Sequence, residues 1–166
     1  QLDILFANAG GGHATPLVEL TEEQIDSELS INVKGVVLTM QTALSVLRDG
    51  ASVILNASIT ADMGLKGFSV YAATKAAVRS LARSWTTDLR DRDIRVNTVS
   101  PGVVPTEGYG KEQKMSDQDV ADYVARVSTE IPAGRVGTTR DIGNAVVFLP
   151  SDANNYIRGI DLIVDG

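Results

Sequence analysis

Short runs of apolar and β-branched residues recur along the chain, each separated from the next by a longer stretch of helical character. No other feature limits the fold as strongly. LDILFA, ASVILNAS, IRVNTVS and GIDLIVDG read as strands. TEEQIDSELSINVKGVVLTMQTALSVLRDG reads as one long helix, with a cap signal at Thr21, acidic Glu22 and Glu23 in its first turn, and Gly50 closing it. SVYAATKAAVRSLARSW reads as a second long helix ending near DLRDRD, and SDQDVADYVARVSTEI and TTRDIGNAVVFL as two shorter ones. Connections of this length exclude hairpins and predict parallel βαβ units, with helices on both faces of one sheet. Such α/β sheets bind ligands at the C-terminal ends of their strands.

The chain has 166 residues, 43% of them hydrophobic, enough for one core and no second domain. It contains no cysteine, which excludes disulfide scaffolds and thiolate metal sites. A net charge of −6 argues against nucleic acid or an anionic membrane surface as partner. No apolar run approaches the length of a membrane span, and no charged-then-apolar leader opens the chain. The expectation is a soluble, cytoplasmic protein. Apolar residues arrive at once in QLDILFA, so residues preceding Gln1 are expected in the complete molecule.

The residues that follow the strands carry the chemical signal. Asn8-Ala9-Gly10-Gly11-Gly12 ends the first strand, where small residues let a backbone approach something closely. Ser58 ends the second, and Pro101-Gly102-Val103-Val104-Pro105-Thr106 the third. On the second long helix, Tyr71 and Lys75 lie four positions apart and so share a face. A lone Tyr-x-x-x-Lys pair reads as a packed ring and a snorkelling lysine. The combination reads otherwise. Ser58 thirteen positions before Tyr71, Lys75 four after it, NAG and PGVVPT at flanking strand ends, and INVKG on the preceding helix together resemble the short-chain dehydrogenase/reductase family over the whole chain.

The resemblance implies the C-terminal half of a doubly wound parallel-sheet Rossmann fold, strands four to seven of the family's sheet. It also implies an NAD(P)-dependent oxidoreductase that interconverts a small-molecule carbonyl and a secondary alcohol. Tyr71 would act as general acid/base, its phenolate favoured by the Lys75 ammonium, and Ser58 would hold the substrate oxygen. In the family's pattern Lys75 also bonds the nicotinamide ribose, and Asn32 holds a water that extends the proton path. Asn8, Ala9 and Gly10 would line the adenosine ribose; Pro101, Gly102, Val104 and Thr106 would cover the nicotinamide. His13, the single histidine, reads as a solvated loop residue, and Trp85 and Leu89 as core or subunit contact.

The family's glycine-rich phosphate motif and the residues that choose between NAD and NADP do not occur in the chain. Without strands beside it, LDILFA would present an apolar edge and uncovered faces, so a preceding or partner chain is expected there. A catalytically incompetent half-domain, used only for assembly, is the competing expectation. Residues 107–131 correspond to the family's variable substrate lid. Ala72, Ala73, Ala76, Ala77 and Ala82 surround much of the Tyr71 helix, which fits the family's helical dimer contact and predicts a homotetramer or homodimer.

Overall fold

The computed structural model describes residues 1–107, 109–112 and 115–166. Four strands, β1 (Leu2–Ala7), β2 (Leu47–Asn56), β3 (Arg95–Pro101) and β4 (Asp161–Val164), form one sheet in the order β1-β2-β3-β4. All three pairings are parallel, as the long crossovers require. Side chains of β2 alternate between the faces with the two-residue period of a strand. Val53 and Leu55 enter a core with Val36, Met40, Val78 and Ala82, while Ile54 enters a second core with Val99 and Leu149.

The first core is covered by α2 (Gly35–Ala43) and α3 (Ser69–Asp88), with α1 (Glu22–Leu29) packed against α3, and the second by α6 (Thr139–Phe148). Trp85 and Leu89 pack, partly buried, against the first core. Between β3 and α6 lie α4 (Tyr109–Glu112) and α5 (Asp117–Ser128), the latter started by a Ser116 capping box. The expected lid, residues 107–131, therefore contains α4 and α5, and part of it lies outside the described residues.

The expected single helix from Thr21 to Gly50 is corrected in two places. Thr21 does cap α1 through a box with Gln24, but the helix passes through a π-helical turn, Ser30–Lys34, before α2. In a regular α-helix each i+4 step drifts by about 40° around the axis. The wider turn takes back that drift, so that Glu28, Asn32, Val36 and Met40 all face inward and are buried. The second correction concerns Gly50, which stops no helix: α2 ends at Ala43 and β2 begins at Leu47. Leu47 is buried in the first core, and the strand is drawn in with it. Leu2 pairs with Leu47 but Ile4 with Ser52, so β2 bulges between them, with Gly50 at φ 78°.

The edge of β1 is open as expected, but its faces are not uncovered: Leu5 packs against the first core and Phe6 against the second. Leu2 and Ile4 are exposed, and among the described residues β1 pairs with β2 alone. Arg79 of α3 binds the helix layer to the other end of the sheet through an ion pair with Asp161 at 3.0 Å. Asp161 also accepts from Thr98 and Ser100 of β3 at 2.6 and 2.7 Å.

Candidate active site

The C-terminal ends of β1, β2 and β3 converge on the first turns of α3. Tyr71 is the third residue of α3, half-buried, its ring edge-on to Phe68 at 6.1 Å. Lys75, one turn along the same face, is 3% exposed and places Nζ 5.5 Å from the centre of the Tyr71 ring. Its ammonium donates to the backbone carbonyl of Asn56 at 2.9 Å, which anchors it to the end of β2. Burial lowers its pKa from 10.5 to about 8. The lysine is thus still cationic at neutral pH, beside the phenol.

Asn56 was not singled out from sequence, although it begins NAS as Asn8 begins NAG. Its Nδ2 donates to Asn8 Oδ1 at 2.9 Å, so one residue joins the ends of β1 and β2 to Lys75. Ser58 follows two positions later and is buried. Its Oγ caps a short 3-10 turn by accepting the Thr60 N–H at 3.2 Å, which leaves the hydroxyl proton to donate elsewhere.

The glycine-rich loop after β1 is held against this cluster by Asn32, which is 1% exposed. Asn32 Oδ1 accepts the Gly11 N–H at 3.0 Å, and Nδ2 donates to the Gly11 carbonyl at 2.8 Å and to Thr74 Oγ1 at 3.1 Å. Thr74 in turn donates to the Tyr71 carbonyl at 2.7 Å. Both amide protons of Asn32 are used, so a water on this residue would donate to the remaining lone pair of Oδ1. Gly10 and Gly12 serve close approach rather than turning, whereas Gly11 has room for a side chain. A Cβ on Gly10 would lie 2.9 Å from Asn32 Oδ1 and 3.2 Å from Lys75 Nζ, and one on Gly12 only 2.2 Å from the Tyr71 ring.

His13 is exposed, and its backbone N–H donates to Glu28 Oε1 at 3.2 Å. A cavity of about 570 Å³ lies between this loop and α1, but Ser58, Tyr71 and Lys75 do not line it. Asn8 and Ala9 are exposed beside Gly10. Pro101, Gly102 and Val104 are half-buried and Thr106 is exposed in the loop leaving β3. That loop is pinned at both ends of its turn: the Gly102 N–H donates to the Val164 carbonyl at 3.0 Å, and the Gly137 N–H to the Val103 carbonyl at 2.9 Å. No cluster of metal-ligating side chains occurs among the described residues, and no helix among them is long and apolar enough to cross a membrane.

Residues 1–166 match a family model described as enoyl-(acyl carrier protein) reductase. A diacetyl reductase of Staphylococcus epidermidis is 33% identical over 174 residues, covering 100% of this chain and 68% of that protein. Among solved structures, a short-chain dehydrogenase/reductase from Serratia marcescens is 31% identical with a TM-score of 0.88, covering 100% of this chain and 65% of that one. A tyrosine-to-phenylalanine variant of ElxO with NADPH bound is 28% identical with a TM-score of 0.87, covering 100% and 66%. The chain therefore spans about 65% of the length of the Serratia structure and all of its own sequence is matched.

Proposed function

Because the chain belongs to the short-chain dehydrogenase/reductase family, we propose that it acts as an NAD- or NADP-dependent oxidoreductase interconverting a carbonyl and a secondary alcohol, with Tyr71 as general acid/base. The observation that carries this reading is the buried Lys75 ammonium beneath the Tyr71 ring, fixed by the Asn56 carbonyl. A cation there favours the phenolate over the phenol and readies Tyr71 to exchange a proton with the substrate oxygen near neutral pH. Ser58 donates its hydroxyl proton to the same oxygen and stabilises the charge that develops on it. Asn32 fixes the loop that presses on Tyr71 and offers one lone pair to a water on the proton path.

A nicotinamide cofactor held there would supply or accept the hydride. The residues present suit its ribose end. Lys75 commits one N–H to Asn56 and has two more to donate, and Gly10 leaves open the space that a Cβ would fill beside it. Asn8, Ala9 and Gly10 would line the adenosine ribose, and Pro101, Gly102, Val104 and Thr106 the nicotinamide. NADPH bound to a structural neighbour supports this cofactor class. A small-molecule substrate, a cytoplasmic setting, and no nucleic-acid or membrane partner complete the proposal. Exposed Ala73 and Ala76 on α3 suit close helix contact in a homodimer or homotetramer.

Titration with NADH and NADPH, followed by carbonyl-dependent oxidation of the bound cofactor, tests the proposal. Tyr71→Phe should abolish turnover and leave binding intact; undiminished turnover would refute the mechanism. The second reading, a half-domain used for assembly, draws on the partial span of the relatives and the exposed Leu2 and Ile4 on β1. Failure of a folded sample to bind either dinucleotide would favour it.

A further inference from the structure

The short turn that begins at Ser58 is closed mainly on itself. Ser58 Oγ accepts the Thr60 N–H at 3.2 Å, the Ser58 carbonyl accepts the Ala61 N–H at 3.1 Å, and the Ile59 carbonyl accepts the Asp62 N–H at 3.0 Å. Such bonds fix the shape of a turn and leave its place in the molecule to other contacts. Thr60 is buried in its middle, against α3, but the Thr60 hydroxyl has no hydrogen-bond partner among the described residues. The turn is tied down at its two ends. Ala57, just before it, donates to the Val99 carbonyl of β3 at 2.8 Å, and Asp62, which ends it, accepts from Arg79 Nη1 of α3.

Arg79 is held in turn by the sheet. Its Nε lies 3.0 Å from Asp161 Oδ2, a charge contact without hydrogen-bond alignment. The Asp161 side chain is 11% exposed, and its other oxygen accepts from Thr98 and Ser100 of β3. A planar guanidinium presents donors on several edges, so one side chain can face a carboxylate on either side, which a lysine ammonium does poorly. Tyr71, Lys75 and Arg79 follow one another at four-residue steps along α3, each turned about 40° from the last. The helix that carries the phenol and the ammonium therefore also carries the tether of the Ser58 turn.

We propose that Arg79, acting through Asp62, is a positioning residue for Ser58: the ion pair sets the Ser58 hydroxyl at a fixed distance from Tyr71, so that both meet one substrate oxygen. The proposal rests on the reading of Ser58 and Tyr71 as the groups that meet that oxygen. Asp62 is 57% exposed, and an ion pair so open to water adds little to stability. Its effect is on geometry. A donor to a developing oxyanion is worth on the order of 10²–10³ in kcat, so partial misplacement of Ser58 shows in turnover before it shows in unfolding.

The test uses the complete protein and the variant Asp62→Ala, because removing Arg79 would leave Asp161 buried without its cation. In the reduction of diacetyl by NADPH or NADH, Asp62→Ala should lower kcat roughly three- to tenfold and Ser58→Ala roughly a hundredfold. Added to Ser58→Ala, Asp62→Ala should cost nothing more, because the two act through one hydroxyl. Amide exchange, which needs no turnover, should quicken roughly three- to tenfold at Thr60, whose N–H rests on Ser58 Oγ, and stay unchanged at Val78 on the buried face of α3. Additive losses in the double variant, unaltered exchange at Thr60, or a quickening shared by Val78 would overturn the proposal. Undiminished turnover in Ser58→Ala would instead refute the reading of Ser58 itself, and Thr60 exchange would then decide alone whether Arg79 and Asp62 hold the turn.

Discussion

Replacing Lys75 by methionine should abolish activity while leaving the protein as stable as before, or more so. The wild-type ammonium is buried, and its pKa falls from 10.5 to about 8 through desolvation. At about 1.4 kcal/mol per pH unit, holding the proton on Lys75 at pH 7 costs the fold roughly 3 kcal/mol. Methionine fills similar space without that cost but surrenders the charged hydrogen bond to Asn56, worth about 1.5–3 kcal/mol. The net expectation at pH 7 is a variant between unchanged and about 2 kcal/mol more stable. The sign of the pH dependence follows from linkage. Unfolded Lys75 keeps its proton to about 10.5 and folded Lys75 loses it near 8, so between these values the unfolded state binds more protons. Wild-type stability should therefore climb relative to Lys75→Met as pH rises from 7 to 10. Urea unfolding followed through Trp85, the single tryptophan, measures both quantities. A variant less stable than wild type by more than about 1 kcal/mol at pH 7, or a difference that does not move with pH, would refute the reasoning.

Gly12→Ala would drive a methyl into the Tyr71 ring, 2.2 Å from its nearest atom. Overpacking of this kind costs about 1–3 kcal/mol, and a displaced acid/base on the order of 10²-fold in kcat, so activity should fall far more than stability. Asn32→Ala strips partners from Gly11 N–H, Gly11 carbonyl and Thr74. A loss of about 2–4 kcal/mol in urea denaturation, with faster amide exchange at Gly11, is expected.

The strands and the order of elements were legible because β-branched runs and helical stretches differ in period; the exception is Leu47–Gly50, drawn from the expected helix into β2 with the burial of Leu47. Tyr71, Lys75, Ser58 and Asn32 were legible as a spaced set. Their supports were not. Asn32 reaches Gly11 and Thr74, 21 and 42 positions away, and Lys75 finds a backbone carbonyl 19 positions back. Backbone acceptors have no residue type, so no sequence signal marks them. A close approach was legible at Gly12, but its partner, the distant Tyr71 ring, was not. Gly50 misled for a different reason: a positive φ serves a helix end and a strand bulge alike, and the burial of Leu47 decided between them.

The π-helical turn at Ser30–Lys34 gives this stretch an unusual sensitivity to length. Side chains there can be exchanged while the phase between α1 and α2 survives. Removing a single residue would restore a regular helix, replace the wide turn's step of about 360° by a three-residue step of about 300°, and swing everything upstream by about 60° around the axis. Glu28 and Asn32 would then turn off the glycine-rich loop while Val36 and Met40 stayed in the core. The fold would persist with its loop unclasped. Variation among natural versions of this segment should accordingly be rich in substitutions and almost free of insertions and deletions.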